Sequence, residues 1–209
     1  AEGFSERAGG LMSARPDAPA TARNRDAILA VLGEEFQDRR SVLEIGSGTG
    51  QHAVYFGPRM PHQQWQTSDV ADNHAGIVAW IDSSDCTNVL PPIELDVLAT
   101  TNLDDRFDAV FSANTAHIMS FAAVTAMFRI VAGVLAGEGI FCLYGPFNVD
   151  GQFTSESNAR FDQSLRAQDP DMGIRDLADL EALADAGNLE MARRYAMPSN
   201  NMLLVFARA

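Results

Sequence analysis

The sequence predicts an α/β fold, a doubly wound and largely parallel sheet with helices on both faces. Short apolar runs alternate with stretches of helical length over the first 145 residues, the pattern of repeated strand–helix–strand units. A glycine-dense turn, Gly46-Ser47-Gly48-Thr49-Gly50, joins the first apolar run directly to a helical one. The run at 139–144 carries no polar alternate, as a strand covered on both faces requires.

The elements follow in order. Residues 11–21 carry Pro16 and Pro19 among small residues and read as an extended arm. It leads into a helix over about 22–32, with Ile28, Leu29 and Leu32 on its apolar face. Residues 41–45 form a strand, and the helix opened by the glycine turn ends before Pro58. Residues 64–67 make a second strand, 73–81 a helix, and 93–95 a third strand closed by Asp96. A buried strand at 108–112, a helix at 121–135 and the apolar strand at 139–144 complete the alternation. Beyond it, 151–157 is polar, 160–166 weakly helical and 176–186 helical. Two final strands at 189–195 and 202–207 are joined by a hairpin turn over 197–201. No internal repeat divides the chain, so one domain over 1–209 is expected.

Composition removes several function classes. With 46% hydrophobic and 21% charged residues the chain is ordinary globular material, neither disordered nor fibrous. Its 15 basic residues are all arginine, so a Schiff-base lysine, a pyridoxal linkage and a P-loop lysine are excluded. A net charge of −13 disfavours nucleic acid and anionic membrane as partners, because affinity for phosphate comes from clustered cations. Cys86 and Cys142 fit neither a redox nor a zinc pattern, and His52, His62 and His74 show no ligand spacing, so no metal is expected. Trp65 and Trp80 read as packing residues. Residues 1–10 lack the apolar centre of a signal peptide and no run approaches a membrane span, which makes the cytoplasm the expected compartment. Oligomeric state is not legible.

The glycine turn carries the functional signal. Glycines at the carboxyl end of a first strand let the backbone approach a ligand and aim a helix N-terminus at it. A dinucleotide fingerprint wants its third glycine where Gln51 stands, so the spacing departs from the nicotinamide and flavin pattern. Asp69, 19 residues past Gly50, ends the second strand where a carboxylate can accept both hydrogen bonds of a ribose diol; an N-cap is the alternative. Asp96 ends the third strand, placed for an adenine amino group or for capping a turn. Carboxylates without arginine suit a sulfonium cofactor, which brings no phosphate to neutralise.

The segment 42–50, Val-Leu-Glu-Ile-Gly-Ser-Gly-Thr-Gly, resembles the first motif of the class I S-adenosylmethionine-dependent methyltransferases, and the strand order resembles theirs over about 40–145. Further segments at 47–53, 88–92, 144–147, 156–158, 172–176 and 197–201 resemble the methyltransferase-like protein 26 family and its bacterial relatives over nearly the whole chain. The resemblance implies a Rossmann-like sheet of seven strands with the last one antiparallel. It divides the domain into an N-terminal arm and helical cover (1–35), a cofactor-binding core (40–145) and an acceptor-side segment with a closing hairpin (146–209). It also implies S-adenosylmethionine as donor and S-adenosylhomocysteine as product. Gly46, Ser47, Gly48 and Gly50 would then hold the methionine moiety, Asp69 the ribose, and Asp96 and Val97 the adenine. Glu44 would orient the methionine amino group through water.

The expected function is methyl transfer to a small-molecule nucleophile. The acceptor side is less determined. Asn114 follows the fourth strand in the slot that amino-methylating enzymes give to an Asn-Pro-Pro-Tyr loop, but the prolines and tyrosine are absent. His117 is open as a general base, its ordinary pKa near 6.5 suiting neutral pH, or as a structural histidine. Tyr144 and Asn148 follow the fifth strand and either bind the acceptor or close the sheet. Arg23 with Asn24 could fold over the cofactor carboxylate or face solvent. Glu156, Asn158, Arg175, Asn200 and Asn201 complete an acceptor pocket or serve turns. Two other classes stay open: a cofactor-binding protein without turnover, and a nucleotide-dependent oxidoreductase.

Overall fold

The computed structural model of the protein describes residues 15–208. The first part of the expected arm, residues 11–14, lies outside them. Helix α1 (Pro19–Glu35) leads to strand β1 (Ser41–Ile45), helix α2 (Gln51–Phe56) and strand β2 (Gln64–Asp69). Helix α3 (Ala71–Asp82), strands β3 (Val89–Glu94) and β4 (Phe107–Ala113), helix α4 (Phe121–Val134) and strand β5 (Leu135–Gly145) follow. The last third comprises β6 (Phe147–Asn148), α5 (Glu156–Gln168), β7 (Arg175–Asp176), α6 (Leu177–Ala186), β8 (Leu189–Met197) and β9 (Asn201–Arg208).

Seven strands form one sheet in the order β3-β2-β1-β4-β5-β9-β8. The first five run parallel, and β9 lies antiparallel to both of its neighbours. The expected fold class and the antiparallel last strand are both present. From β1 the chain moves outward to β2 and β3, then crosses back to β4 on the other side of β1. Such a reversal opens a crevice at the carboxyl ends of β1 and β4.

Side chains alternate strictly between the two faces. Leu43, Val110, Phe141, Leu143, Leu204 and Phe206 pack under α4 and α6. Val42, Trp65, Phe111, Cys142, Tyr144 and Val205 pack under α1 and α2. Both faces are buried, so the strands need no polar alternate.

Several boundaries differ from expectation, among them the start of α5 at Glu156, where the Ser155 side chain caps the helix by accepting the Asn158 N–H. Helix α1 begins at Pro19, whose fixed φ and missing N–H suit a first helical turn, so this proline starts the helix. Strand β3 includes Pro91-Pro92. It is an edge strand, and the prolines sit at a bulge between the Gln66–Leu90 and Ser68–Ile93 pairs, where no ladder donor is required. Strand β5 starts at Leu135, because the glycine-containing stretch 136–139 bulges between the Phe107–Leu135 and Ala109–Ile140 pairs. The two-residue pair of β6 with β7 is too short to leave a period in the sequence.

Candidate functional site

At the end of β1 the chain turns through Gly46, Gly48 and Gly50, all in the left-handed region with φ of +71°, +59° and +87°. L side chains pay for this conformation, so glycine is required by the backbone before any ligand is considered. A Cβ at Gly46 would lie 2.7 Å from Thr115 Cγ2, and one at Gly50 would lie 3.0 Å from Ile77 Cα. At Gly48 no atom of the described residues stands within 4 Å of such a Cβ.

Polar groups of β1 and β2 hold the turn. Ser47 N–H donates to the Ser68 carbonyl over 2.9 Å. Ser47 Oγ donates to Glu44 Oε2 over 2.9 Å and accepts the Ser68 N–H over 3.1 Å. Trp65 Nε1 donates to the same Glu44 oxygen over 3.1 Å. Glu44 is 2% exposed. Burial raises its carboxyl to about 7 despite the hydrogen bonds from Trp65 and Ser47. Gln51, where a dinucleotide fingerprint has glycine, straps the arm down: its Oε1 accepts the Ala18 N–H over 2.7 Å and its Nε2 donates to Asp17 Oδ1 over 2.9 Å. Trp80 Nε1 adds a bond to the Pro16 carbonyl over 2.7 Å, so this tryptophan anchors the arm.

Two adjoining hollows open above the turn and share Gly46, Asp69 and Met119 as walls. The smaller, about 200 Å³, is an apolar slot between Ile45, Val70, Leu95, Val97, Leu98 and Ala123, with Asp96 at its wall. The larger, about 360 Å³, runs along Ser47, Gly48, Thr49 and His52 and past Asn114 and Thr115, under Ala18, Ala20 and Thr21. Together they fall within the usual range of small-molecule sites, about 300–1,000 Å³. Another hollow of about 500 Å³, between the 101–106 loop and the end of α4, touches none of the expected residues and sits at the opposite end of the sheet.

Of the expected residues, Gly46, Ser47, Gly48, Asp69, Asp96, Val97 and Asn114 line the two hollows. Gly50 backs the turn against Ile77, and Glu44 lies beneath it. Asp69 spends much of its carboxylate on the protein: Oδ2 accepts the Gly48 N–H over 2.7 Å, and Oδ1 accepts Val70 N–H and Asn73 Nδ2, each over 2.8 Å. Asp96 accepts the Leu98 N–H over 2.9 Å, so it caps its turn while bordering the slot.

The other residues are not brought to the cleft wall. Arg23 is exposed on α1. His117 lines neither hollow. Asn114 (φ 59°) turns the loop, and Arg175 donates to the carbonyls of Ala116, Met119 and Asp171. Held this way, the loop turns Asn114, Thr115, Ile118 and Met119 to the cleft while the His117 ring packs on Phe161 at 5.3 Å. Burial, aided by Arg175, lowers His117 to about 4. Arg175 therefore secures backbone. Asn158 likewise donates to Thr154 Oγ1 and to the Asn200 carbonyl, tying α5 to the hairpin turn. Tyr144 and Asn201 bond each other over 2.9 Å below α1, and Asn148 on β6 keeps a buried Oδ1 without a partner among the described residues. Among the described residues no cluster of metal-ligating side chains forms, and no helix is long and apolar enough to cross a membrane.

Sequence reasoning missed Thr21, Asn73, Thr115 and, above all, His52, which lies on the first turn of α2 and lines the larger hollow. Its signal was position: two residues after the third glycine, where a helix begins under the ligand.

A model of the family described as a protein of unknown function (DUF938) matches residues 15–208. The chain belongs to this family. Solved structures with a similar fold include an O-methyltransferase family protein from Burkholderia thailandensis, with a TM-score of 0.78 and 16% identity over 91% of this chain and 58% of that one. The S-adenosylmethionine-dependent methyltransferase SibL in its apo form gives 0.76 and 18% over 90% and 55%. The calicheamicin-biosynthesis methyltransferase CalO1, bound to S-adenosylhomocysteine (SAH), gives 0.73 and 19% over 91% and 54%. The DUF938 chain thus spans little more than half the length of these proteins, and the likeness extends to the fold.

Proposed function

We propose that the protein transfers a methyl group from S-adenosylmethionine to a small-molecule nucleophile. The observation that carries this reading is the lining of the switch-point cleft: the left-handed glycines Gly46 and Gly48, the carboxylates Asp69 and Asp96, and among the described residues no arginine in either hollow. Such a lining suits a cationic ligand without phosphates and does little for a pyrophosphate, which disfavours the oxidoreductase alternative. The names of similarly folded proteins, several of them methyltransferases and two bound to SAH, support the same donor.

The open face of Gly48 and the apolar slot beside Val97 fit that donor. Val97 and Leu98 would bury the adenine, Asp96 would accept from its amino group, and Asp69 would accept from the ribose. Gly46 to Gly48 would lie against the methionine portion, and Glu44 would hold the turn from below. When bound, the donor supplies an electrophilic methyl on a sulfonium. The chain's share is to bind, to align the acceptor in line with the methyl–sulfur bond and to exclude water. Thr21 and the other α1 residues over the larger hollow serve the last of these.

A thermal melt with SAH, and with NADH as control, tests the reading. Saturation at a hundredfold excess over Kd stabilises by about 2.7 kcal/mol, a rise in Tm of roughly 5–10 °C for a chain of this size. A rise with SAH alone is expected. A rise with NADH alone would replace the reading by the oxidoreductase, and SAH binding without methylation of any metabolite pool would leave a non-catalytic binder.

A further inference from the structure

We infer that His52 is the proton acceptor of the cleft and that the methyl acceptor is an uncharged hydroxyl compound of the phenol or alcohol class, an inference that rests on the methyl-transfer reading above. The imidazole is held on three sides. Its Nε2 lies 2.8 Å from Asn24 Oδ1, its ring stacks on Phe56 at 5.3 Å, and Phe111 meets it edge-on at 6.2 Å. Asn24 turns its carbonyl oxygen to the ring and can only accept there, so Nε2 carries the proton and Nδ1 the lone pair.

His52 Nδ1 has no partner among the described residues. It is also not one of their buried unpartnered side-chain atoms, which are Arg25 Nε, Gln63 Oε1 and Asn148 Oδ1. It therefore opens onto the hollow that His52 lines. Burial, with Arg25 adding to it, lowers the imidazole to about 4 and keeps it neutral at physiological pH.

The surroundings select the acceptor. Ala18, Ala20, Ala113, Ile118 and Met119 make the hollow largely apolar, and Ile118 is 50% exposed at the cleft. A carboxylate acceptor needs a cation, and among the described residues no arginine lines either hollow. An alkyl amine arrives as ammonium, which has no lone pair to attack the methyl carbon until its proton has gone. A hydroxyl keeps an attacking lone pair and gives up its proton as the new bond forms, which requires one acceptor lone pair in the cleft. In the step, the hydroxyl oxygen forms a bond to the methyl carbon, the carbon–sulfur bond breaks with its electron pair passing to sulfur, and the O–H proton passes to His52 Nδ1. One positive charge is lost at sulfur as one appears on imidazole, so the net charge of the site is unchanged.

The test combines ¹⁵N-resolved NMR of the His52 ring in the full chain with methyl transfer to catechol, followed by SAH release. The expected tautomer is Nε2–H, redistributed in Asn24→Leu. His52→Gln is expected to slow transfer to catechol by about 100-fold or more with SAH affinity unchanged. An Nδ1–H tautomer in the wild type, or transfer by His52→Gln at the wild-type rate, overturns the base. Loss of SAH affinity in that variant makes His52 a donor contact and overturns it as well. Preferential methylation of aniline or thiophenol, or catechol leaving both SAH release and the Nδ1 resonance unmoved, overturns the hydroxyl assignment. A wild type that does not bind SAH fails the underlying reading instead, a separate result.

Discussion

The amide of Gly48 donates to Asp69 Oδ2 over 2.7 Å, tying the open face of the glycine turn to the carboxylate that ends β2. One side chain thereby shapes the loop and borders both hollows. Asp69→Ala is expected to weaken SAH binding by about 1–3 kcal/mol and to loosen the turn. Titration calorimetry of Asp69→Ala beside Asp69→Asn separates the two, because asparagine keeps an oxygen for the Gly48 amide. Unchanged SAH affinity in the alanine variant would remove Asp69 from the donor site.

Gly48 and Gly46 are expected to fail differently. A Cβ at Gly48 meets no atom of the described residues within 4 Å, so Gly48→Arg should stay folded, apart from the strain of a left-handed residue, and lose SAH binding by filling the cleft. Gly46→Ala meets Thr115 Cγ2 at 2.7 Å and also carries φ +71°. Its conformational part costs roughly 1–2 kcal/mol. Adding Thr115→Ser removes the clashing methyl while keeping a hydroxyl for Ser112, which bonds Thr115 Oγ1 over 2.7 Å. Chemical denaturation should show partial recovery in the double variant; no recovery would mean that the backbone alone sets the cost.

Glu44 makes stability depend on pH. Its folded pKa of about 7 lies above the ordinary value of 4.5, so the folded protein keeps a proton that the unfolded chain releases. The contribution is fully present below about 4.5, falls as pH rises through about 7 and is flat beyond it. The loss is about 3 kcal/mol as an upper figure. Glu44→Gln keeps an acceptor for Trp65 and Ser47 but has no proton to lose. It should therefore gain stability relative to wild type between pH 5 and pH 8. Parallel denaturation midpoints across that range would show Glu44 to be an ordinary carboxylate.

The helix over the cleft is anchored at its far end. Glu35 receives Arg193 Nε and a second guanidinium nitrogen at 2.6 Å each and the Tyr195 hydroxyl at 2.5 Å. Bidentate pairs hold geometry better than single contacts. Glu35→Ala is expected to cost roughly 1–3 kcal/mol of stability and, by loosening α1, to raise hydrogen exchange at Thr21 and Asn24. Exchange at those amides indistinguishable from wild type would show α1 to be held by its apolar face alone.

Much of the fold was legible because its signals are local. Three glycines within five residues force a turn whatever follows, and runs without a polar alternate state that both faces are covered. Edge and bulge positions were not legible, since Pro91-Pro92 becomes acceptable in a strand only when that strand lies at the sheet edge. In the same way Pro19 read as a breaker until its place at the start of α1 was known.

The candidate site divides along the same line. Gly46, Gly48, Asp69 and Asp96 were readable as cleft residues because each stands at or just past a strand end, Asp96 two residues beyond Glu94 where β3 stops, and strand ends are set by neighbours in the chain. Whether a polar group is free for a ligand depends on partners far away in sequence. Arg175 is consumed by carbonyls 59 and 56 residues distant, and Asn201 by a tyrosine 57 residues distant. His52 meets Asn24 across 28 residues. No period or spacing records such meetings. Local sequence dictates which backbone conformations are affordable and which faces must be buried. The closing of the sheet then assigns most donors and acceptors a partner and sets His52 on the wall of the larger hollow.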